Sequence, residues 1–187
     1  MGRKRNRHAL TAVVAVRDRE DSIGSDLRAI GKVVGPKGTV VVVDTGSSDN
    51  TLAVLRLLRR SWPALIAESA EGAPTWSSAP TEGRALLLVP EEATPSQAAA
   101  AAAAVKAGAD VARRGEAIAL SPEAVTRLSD ALASAGRSPA ATLTRHAHAL
   151  TLSVDPTSEP PRRRSPFELT PAPLRTLGLL LRAALPG

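Results

Sequence analysis

The sequence has no cysteine and very few aromatic residues. Without a cysteine in 187 residues, disulfides, thiolate catalysis and cysteine-ligated zinc are excluded. The only Trp, Phe or Tyr residues are Trp62, Trp76 and Phe167, which make up 2% of the chain. This scarcity disfavours single-stranded nucleic-acid binding, because proteins of that class stack bases on aromatic side chains. The hydrophobic content of 43% predicts a globular protein with an aliphatic core.

Long hydrophobic runs are also missing. No segment approaches the ~18 apolar residues of a membrane-spanning helix. The first apolar run, Ala9 to Val16, is short, leads into the charged sequence RDRED, and has no small-residue cleavage site after it. We therefore interpret this run as a β-strand rather than a signal peptide. We expect a cytoplasmic protein and leave open a peripheral contact with a membrane.

Acidic residues are outnumbered, so the formal net charge is +6. The excess is concentrated in three groups: Arg3, Lys4, Arg5 and Arg7; Arg56, Arg59 and Arg60; and Arg162, Arg163 and Arg164. Such groups either keep a protein soluble or attract it to anionic surfaces such as lipid headgroups. Nucleic acid is the less favoured partner, because the sequence shows no nucleic-acid-binding motif and no interleaved aromatic residues.

The length favours one folded domain with terminal extensions. We predict a basic arm in residues 1–8, an α/β domain in residues 9–153, and a linker followed by an amphipathic helix in residues 154–187. The linker is rich in Pro, Ser and Arg. The final helix is indicated by a leucine stripe, and it either packs on the domain or lies on a membrane surface. The stripe consists of Leu174, Leu177, Leu181 and Leu185.

Short apolar runs alternate with segments of helical periodicity. Three runs are apolar on both faces, as buried parallel strands are: AVVAV at 12–16, TVVVV at 39–43 and ALLLV at 85–89. Weaker strand patterns cover residues 63–67 and 116–120. Helices are predicted from Ile23 to Val34, from Asp49 to about Arg60, from Ser96 to near Gly108, and after a cap at Ser121. The fold class is therefore α/β, with a mostly parallel sheet flanked by helices.

Three acidic residues follow the ends of predicted parallel strands. Asp18 follows the first strand, Asp44 ends the second, and Glu91 follows the ALLLV strand. Sheets of this kind bind ligands beyond the carboxyl ends of their strands. The three carboxylates either form a base-recognition and cation site or cap turns and helices. Asp44 could accept a hydrogen bond from an imide N–H such as that of uracil, whereas Asp49 is better explained as a helix cap.

The sequence LTAVVAVRDREDSIGSDLRAI, followed by TVVVVDTGSSDNTLAVL, resembles the opening of family-2 glycosyltransferases of the GT-A fold, which is Rossmann-related. In that family the second strand ends in an Asp followed by a Gly-Ser-x-Asp-x-Thr turn. The matching residues here are Asp44, Gly46, Ser47, Ser48, Asp49 and Thr51. ALLLVPEEATPSQ resembles the strand that carries the family's Asp-x-Asp, and GEAIALSPEAVTRL resembles the strand and helix near the acceptor. The similarity covers roughly residues 10–135, and residues 61–84 match poorly.

The resemblance implies transfer of a sugar from a nucleotide-diphosphate donor to an unknown acceptor. Asp44 would contact the base, and Asp18 would lie beside the nucleotide. Arg17 takes the place of an aromatic residue that covers the base, and a guanidinium can also stack there. Gly46 and Ser47 complete the donor-binding set through the turn. No residue could be assigned as the acceptor base.

The resemblance is weakest at the motif that binds the metal ion in the family. Where the family has Asp-x-Asp, this chain reads Val89-Pro90-Glu91, so Glu91, with Glu92, remains to hold Mg²⁺ or Mn²⁺. His146 and His148 alternate, so we expect them on one face of an edge strand, as late metal ligands or as solvent-facing side chains.

Three functions therefore remain open. The first is an active glycosyltransferase, and the second is a catalytically degenerate GT-A protein that binds or regulates. The third is a basic, membrane-peripheral adaptor.

Overall fold

The computed structural model describes residues 9–70, 74, 76–77 and 81–155. The predicted basic arm and almost all of the predicted linker and C-terminal helix lie outside these residues. Within them, no helix is long and apolar enough to cross a membrane. The strands are β1 (Leu10–Val16), β2 (Thr39–Asp44), β3 (Leu65–Ser69), β4 (Ala85–Val89), β5 (Val111–Arg114) and β6 (Ala117–Leu120). The helices are α1 (Ile23–Val34), α2 (Thr51–Ser61), α3 (Pro95–Lys106), α4 (Pro122–Arg127), α5 (Ser129–Ala133) and α6 (Pro139–Ala149).

The six strands form one sheet in the order β3-β2-β1-β4-β6-β5. The first four strands are parallel, and β6 runs antiparallel to both β4 and β5. The predicted α/β class with a mostly parallel sheet is therefore confirmed. After β1 the chain extends the sheet to one side through β2 and β3, and it then returns to pair β4 with the other side of β1. Ligand sites of open α/β sheets lie beside such a reversal of strand order.

Both faces of the sheet are buried, which explains the uniformly apolar strands. Alternate side chains of β1 enter two different hydrophobic clusters: Val13 packs on the face that carries α4 and α6, and Val14 packs on the face that carries α1 and α3. The alanine run of α3 presents Ala98, Ala101 and Ala102 to the core. Such small side chains allow a helix to approach the sheet closely.

Local capping fixes where two of the helices begin. Thr94 and Gln97 form a reciprocal capping box at the start of α3. The Ser121 hydroxyl accepts a hydrogen bond from the Ala124 backbone N–H, which confirms the predicted cap of α4. The Ser22 side chain makes no capping bond to α1. The helix predicted after Ser121 is divided at Leu128 into α4 and α5.

The strand β5 was not expected from the sequence. It pairs with β6 through a turn at Gly115, whose φ of +56° suits a residue without a side chain. Two arginines among its four residues hide the apolar strand pattern. Arg113 is nevertheless only 5% exposed, since its guanidinium donates to the Gly115 carbonyl and to the Glu116 carboxylate.

The prediction that His146 and His148 share one face of an edge strand is wrong. Both lie near the end of α6, where residues two positions apart point about 200° away from each other. The helix has Pro at its first position, and its buried residues recur at helical spacing: Ala140, Leu143, Thr144 and Ala147. This stripe was missed because it is built from alanine and threonine as much as from leucine.

Candidate functional site

The three carboxylates predicted to share a sheet edge are brought to that edge by strand register. Val16 at the end of β1 pairs with Asp44, and Val14 pairs with Val89 at the end of β4. The segments that carry Asp18, Asp44 and Glu91 therefore leave three adjacent strands on the same side, with β1 in the middle. Their roles in ligand binding stay predictions, and the hydrogen bonds differ for each of them.

Asp44 is fully buried and is only half satisfied. Its Oδ1 atom accepts hydrogen bonds from the Gly46 N–H at 2.9 Å and from the Ser47 N–H at 2.8 Å. The turn that aims these N–H groups at the carboxylate needs Gly46, whose φ is +103°. The Oδ2 atom is buried and has no hydrogen-bond partner among the described residues. A buried acceptor without a hydrogen bond costs about 1–3 kcal/mol of stability, so a ligand that donates a hydrogen bond to Oδ2 would remove this cost.

Glu91 is held above the end of β1 by the turn after β2. The Thr45 hydroxyl lies 2.5 Å from Glu91 Oε1 and 3.2 Å from the Val16 carbonyl oxygen. It carries one proton, and the carboxylate oxygen is the nearer acceptor. Arg19 adds a second link, because its Nη2 donates to the Glu91 carbonyl at 2.6 Å. Thr45 and Arg19 connect β1, β2 and β4 at this edge, and neither was predicted from the sequence as a site residue.

Asp18 ties the turn after β1 to the turn after β2. Its Oδ1 accepts from the Ser48 N–H at 2.7 Å, and its own N–H donates to the Ser47 hydroxyl at 3.0 Å. This exchange holds Asp18 at a φ of +49°, which is uncommon for a residue with a side chain. Its other carboxylate oxygen lies 3.8 Å from Arg17 Nε, and both side chains are about half exposed. The part of Asp18 that could meet a ligand is therefore the side next to Arg17.

A second exchange of hydrogen bonds closes the start of α2. The Glu20 N–H donates to Asp49 Oδ2 at 3.0 Å, and the Asn50 N–H donates to Glu20 Oε2 at 2.8 Å. Asp49 Oδ1 also accepts from the Thr51 N–H at 2.9 Å, consistent with its expected role as a cap. Several of the N–H groups at this helix start thus already bind carboxylates of the chain. Glu20 gave no signal in the sequence beyond its place in a charged run.

The pKa of Asp49 lies below its usual value of 3.8. The hydrogen bond with the Thr51 side chain is the main cause of the lowered pKa; burial acts in the opposite direction, and the backbone N–H groups of Glu20 and Thr51 lower the pKa further. The ionised form of Asp49 is therefore the form that holds the turn.

A small crevice of about 30 Å³ opens beside the site, between α1 and α3. Arg19, Asp26 and Glu91 contribute its polar lining, whereas neither Asp18 nor Asp44 reaches it. Its volume suits water-sized groups rather than a nucleotide. A nucleotide at this edge would therefore lie over the turns rather than in this crevice.

The predicted metal ligands do not come together. In the described part of the chain, no group of three or more His, Cys, Asp or Glu side chains could hold a metal ion. Val89, at the position of the missing first carboxylate, is 2% exposed and packs in the core. His146 and His148 lie near the C-terminal end of α6, at the opposite edge of the sheet from Glu91. Glu91 is half-buried and the following Glu92 is exposed, and their role in holding a cation stays a prediction.

The fold is an open, mostly parallel α/β sheet, and three carboxylate-bearing segments leave it at one edge. No protein-family model and no curated protein matches the chain. Among solved structures, the mannosyltransferase PcManGT from Pyrobaculum calidifontis, in complex with GDP-Man and Mn²⁺, is 19% identical with a TM-score of 0.55. That match covers 84% of this chain and 59% of the mannosyltransferase. At this identity it shows the shared fold.

A second similarity, to TarS from S. aureus, is more limited. The identity is 25% and the TM-score 0.40, over 55% of this chain and 34% of the TarS chain. TarS in complex with UDP-GlcNAc gives 24% identity and the same TM-score. The overlap is too loose to carry an argument about the site. The chain thus spans about a third of that TarS structure and 59% of the mannosyltransferase.

Proposed function

We propose that this chain binds a nucleotide-diphosphate sugar at the carboxyl edge of β1 and β2, and that it acts as a glycosyltransferase of the family-2, GT-A type. The fold shared with a mannosyltransferase supports the class, and the motif from Asp44 to Thr51 supports the position of the donor. The observation that carries the proposal is the buried Oδ2 atom of Asp44, which has no hydrogen-bond partner in the part of the chain that the structure describes.

An N–H group of the base would satisfy Asp44 Oδ2. Uracil and guanine both present such a group on the edge that pairs with other bases. The Gly46 and Ser47 N–H groups already fix the carboxylate through Oδ1, so Oδ2 is oriented before the ligand arrives. Hydrogen bonds to charged groups contribute about 1.5–3 kcal/mol. Arg17 and Asp18, both half exposed, would contact the base and the sugar of the nucleoside.

Glu91, supported by Glu92, would hold Mg²⁺ or Mn²⁺ together with phosphate oxygens of the donor. Mg²⁺ is often bound by one or two protein carboxylates plus substrate phosphates, so this small set fits a weakly held ion. When bound, the ion would neutralise the departing diphosphate. Thr45 would keep the Glu91 carboxylate oriented, because its hydroxyl bonds Oε1 and leaves Oε2 without a hydrogen bond in the described part of the chain.

A catalytically degenerate binding protein is the second candidate, and the burial of Val89 favours it. The missing carboxylate cannot be supplied from this position without placing a charge in the core. In this alternative the chain binds the nucleotide sugar without transferring it, as a binding or regulatory protein.

Calorimetry with UDP-GlcNAc and GDP-mannose in the presence of Mn²⁺ tests donor binding. We expect Asp44→Asn to weaken binding at least tenfold, because an amide carries no charge and offers one acceptor atom instead of two. Asp130→Asn, an exposed change in α5, is the matched control and should bind like the parent chain. The proposal fails if neither donor binds, or if Asp44→Asn binds as the parent does. Release of the sugar to water or to an acceptor then separates the enzyme from the degenerate binder.

A further inference from the structure

One edge of the sheet carries a set of exposed cations that the proposed function does not use. It is the edge where the parallel strands begin, opposite the carboxylates of the site. The cations lie in the last turns of α1, α2 and α3 and in the turns before β2 and β4, and all are exposed except the half-buried Arg84. We call this set the basic edge: Lys32, Lys37, Arg59, Arg60, Arg84 and Lys106.

Among the described residues, no carboxylate forms an ion pair with a cation of the basic edge. The ion pairs among the described residues involve only Arg17, Arg113, Arg114 and Arg127. Within the basic edge, Lys106 Nζ donates to a backbone carbonyl at 2.8 Å, and Arg84 Nη1 donates to a threonine hydroxyl at 3.3 Å. Neither bond is to a carboxylate, and the exposed Glu82 shares the turn before β4 with Arg84 without an ion pair between them.

Helix dipoles account for part of this charge but not for all of it. Lysines and arginines in the last turn of a helix stabilise the negative end of its dipole, which explains Lys32 and Lys106. Lys37 and Arg84 lie outside helices. All of them face the same end of the molecule, whereas Asp18, Asp44 and Glu91 lie at the other end. A negatively charged plane would therefore orient the molecule with its basic edge towards the plane.

An exposed leucine lies next to the basic edge. Leu57, in the second half of α2, is 60% exposed, and Arg56 and Arg60 lie on the same side of the helix. α2 has no acidic residue. At a lipid–water interface, such a leucine can enter the acyl boundary while the neighbouring arginines meet anionic headgroups. A surface that binds single-stranded nucleic acid would instead use aromatic side chains, which make up only 2% of the sequence.

We propose that the basic edge, with Leu57, docks on an anionic phospholipid surface and turns the carboxylate-bearing edge of the sheet away from the lipid. This surface belongs to the folded domain and differs from the basic segments in residues 1–8 and 162–164. The proposal is independent of nucleotide-sugar binding, since it uses the opposite edge of the sheet.

Cosedimentation of the full chain with vesicles tests the proposal. The vesicles contain phosphatidylcholine alone or with 30% phosphatidylserine. We expect binding only to the anionic vesicles and weaker binding as salt is added. Neutralising two cations in Lys37→Gln/Arg60→Gln should lower the affinity roughly 25-fold, since each cation near such a surface contributes about fivefold. Leu57→Gln should lower it severalfold.

Matched controls separate the basic edge from the net charge and from the terminal segments. Arg28→Gln/Arg137→Gln removes the same charge from exposed positions elsewhere and should bind nearly as the parent does. A second parent, with glutamine at Arg3, Lys4, Arg5, Arg7, Arg162, Arg163 and Arg164, should still lose affinity through Lys37→Gln/Arg60→Gln. Equal losses in both double variants would overturn the proposal, as would vesicle binding that depends on the terminal segments alone. Binding to a 20-base-pair DNA duplex that exceeds binding to the anionic vesicles would assign the surface to nucleic acid instead.

Discussion

At the scale of single residues, the carboxylates of the site divide into two kinds. Asp49 accepts backbone N–H groups of the neighbouring turns at both of its carboxylate oxygens, so neither oxygen is left for a ligand. Asp44 and Glu91 each keep one oxygen without a hydrogen bond in the described part of the chain. This difference separates carboxylates that build the site from carboxylates that remain available to a ligand.

Asp49→Asn should lower the melting temperature at pH 7 by a few degrees. Asparagine can accept only one of the two backbone hydrogen bonds that Asp49 accepts. The folded pKa of Asp49 is depressed below 3.8, so its contribution is fully present above that pH and is lost as the pH falls through the folded pKa. Melting curves from pH 7 to pH 2.5 should show a difference between the two proteins that shrinks below pH 3.8.

Asp21→Asn serves as the control for this measurement. Asp21 is exposed, and its side chain makes no hydrogen bond among the described residues. A difference between the Asp49→Asn protein and its parent that stays constant down to pH 2.5 would contradict the assigned role of the ionised carboxylate.

Gly46→Ala should destabilise the site turn by about 1–2 kcal/mol. The space beside Gly46 is open, so the penalty comes from its φ of +103° and not from a clash. Because the turn aims two N–H groups at Asp44, donor affinity should fall together with stability. Urea unfolding and calorimetry measure the two effects. An unchanged affinity would show that the turn does not position Asp44 for the ligand.

At the scale of elements, the strands that could be predicted from the sequence are those buried on both faces of the sheet, because burial makes every residue in them apolar. β1, β2 and β4 are continuous apolar runs, and parallel pairing then brings Asp18, Asp44 and Glu91 to one edge. α6 was misread because alanine and threonine carry its buried stripe. The hydrogen bond from Thr45 to Glu91 could not be predicted, since it joins residues 46 positions apart through side-chain orientations that the sequence does not encode locally.

Gly31→Ala should destabilise the packing of α1 by about 1–3 kcal/mol. A Cβ atom at Gly31 would lie 2.5 Å from Trp62 Cη2, so the tryptophan ring would have to move. Gly24→Ala in the same helix meets no atom within 4 Å and should stabilise the protein by about 0.5–1 kcal/mol. Urea unfolding measures both changes. The cost of Gly31→Ala should shrink in a Trp62→Leu background, and an undiminished cost would exclude the clash as its cause.

At the scale of the whole molecule, the two ends of the sheet have opposite chemistry. The end where the parallel strands finish carries the carboxylates of the candidate site, and the end where they begin carries the basic edge. Parallel strands make this division possible, because the carboxyl ends of all of them lie at one end of the sheet and the amino ends lie at the other. Donor binding and lipid binding are therefore proposed for separate surfaces that can be altered one at a time.

The last described residues contribute to the packing of the domain. Leu152 belongs to a hydrophobic cluster and is 7% exposed, and Asp155 pairs with Arg114 at 3.1 Å. A chain of residues 9–150 should be about 3 kcal/mol less stable than a chain of residues 9–155, since it lacks the buried Leu152. Circular dichroism melting compares the two chains, and equal stability would show that residues 151–155 do not belong to the core.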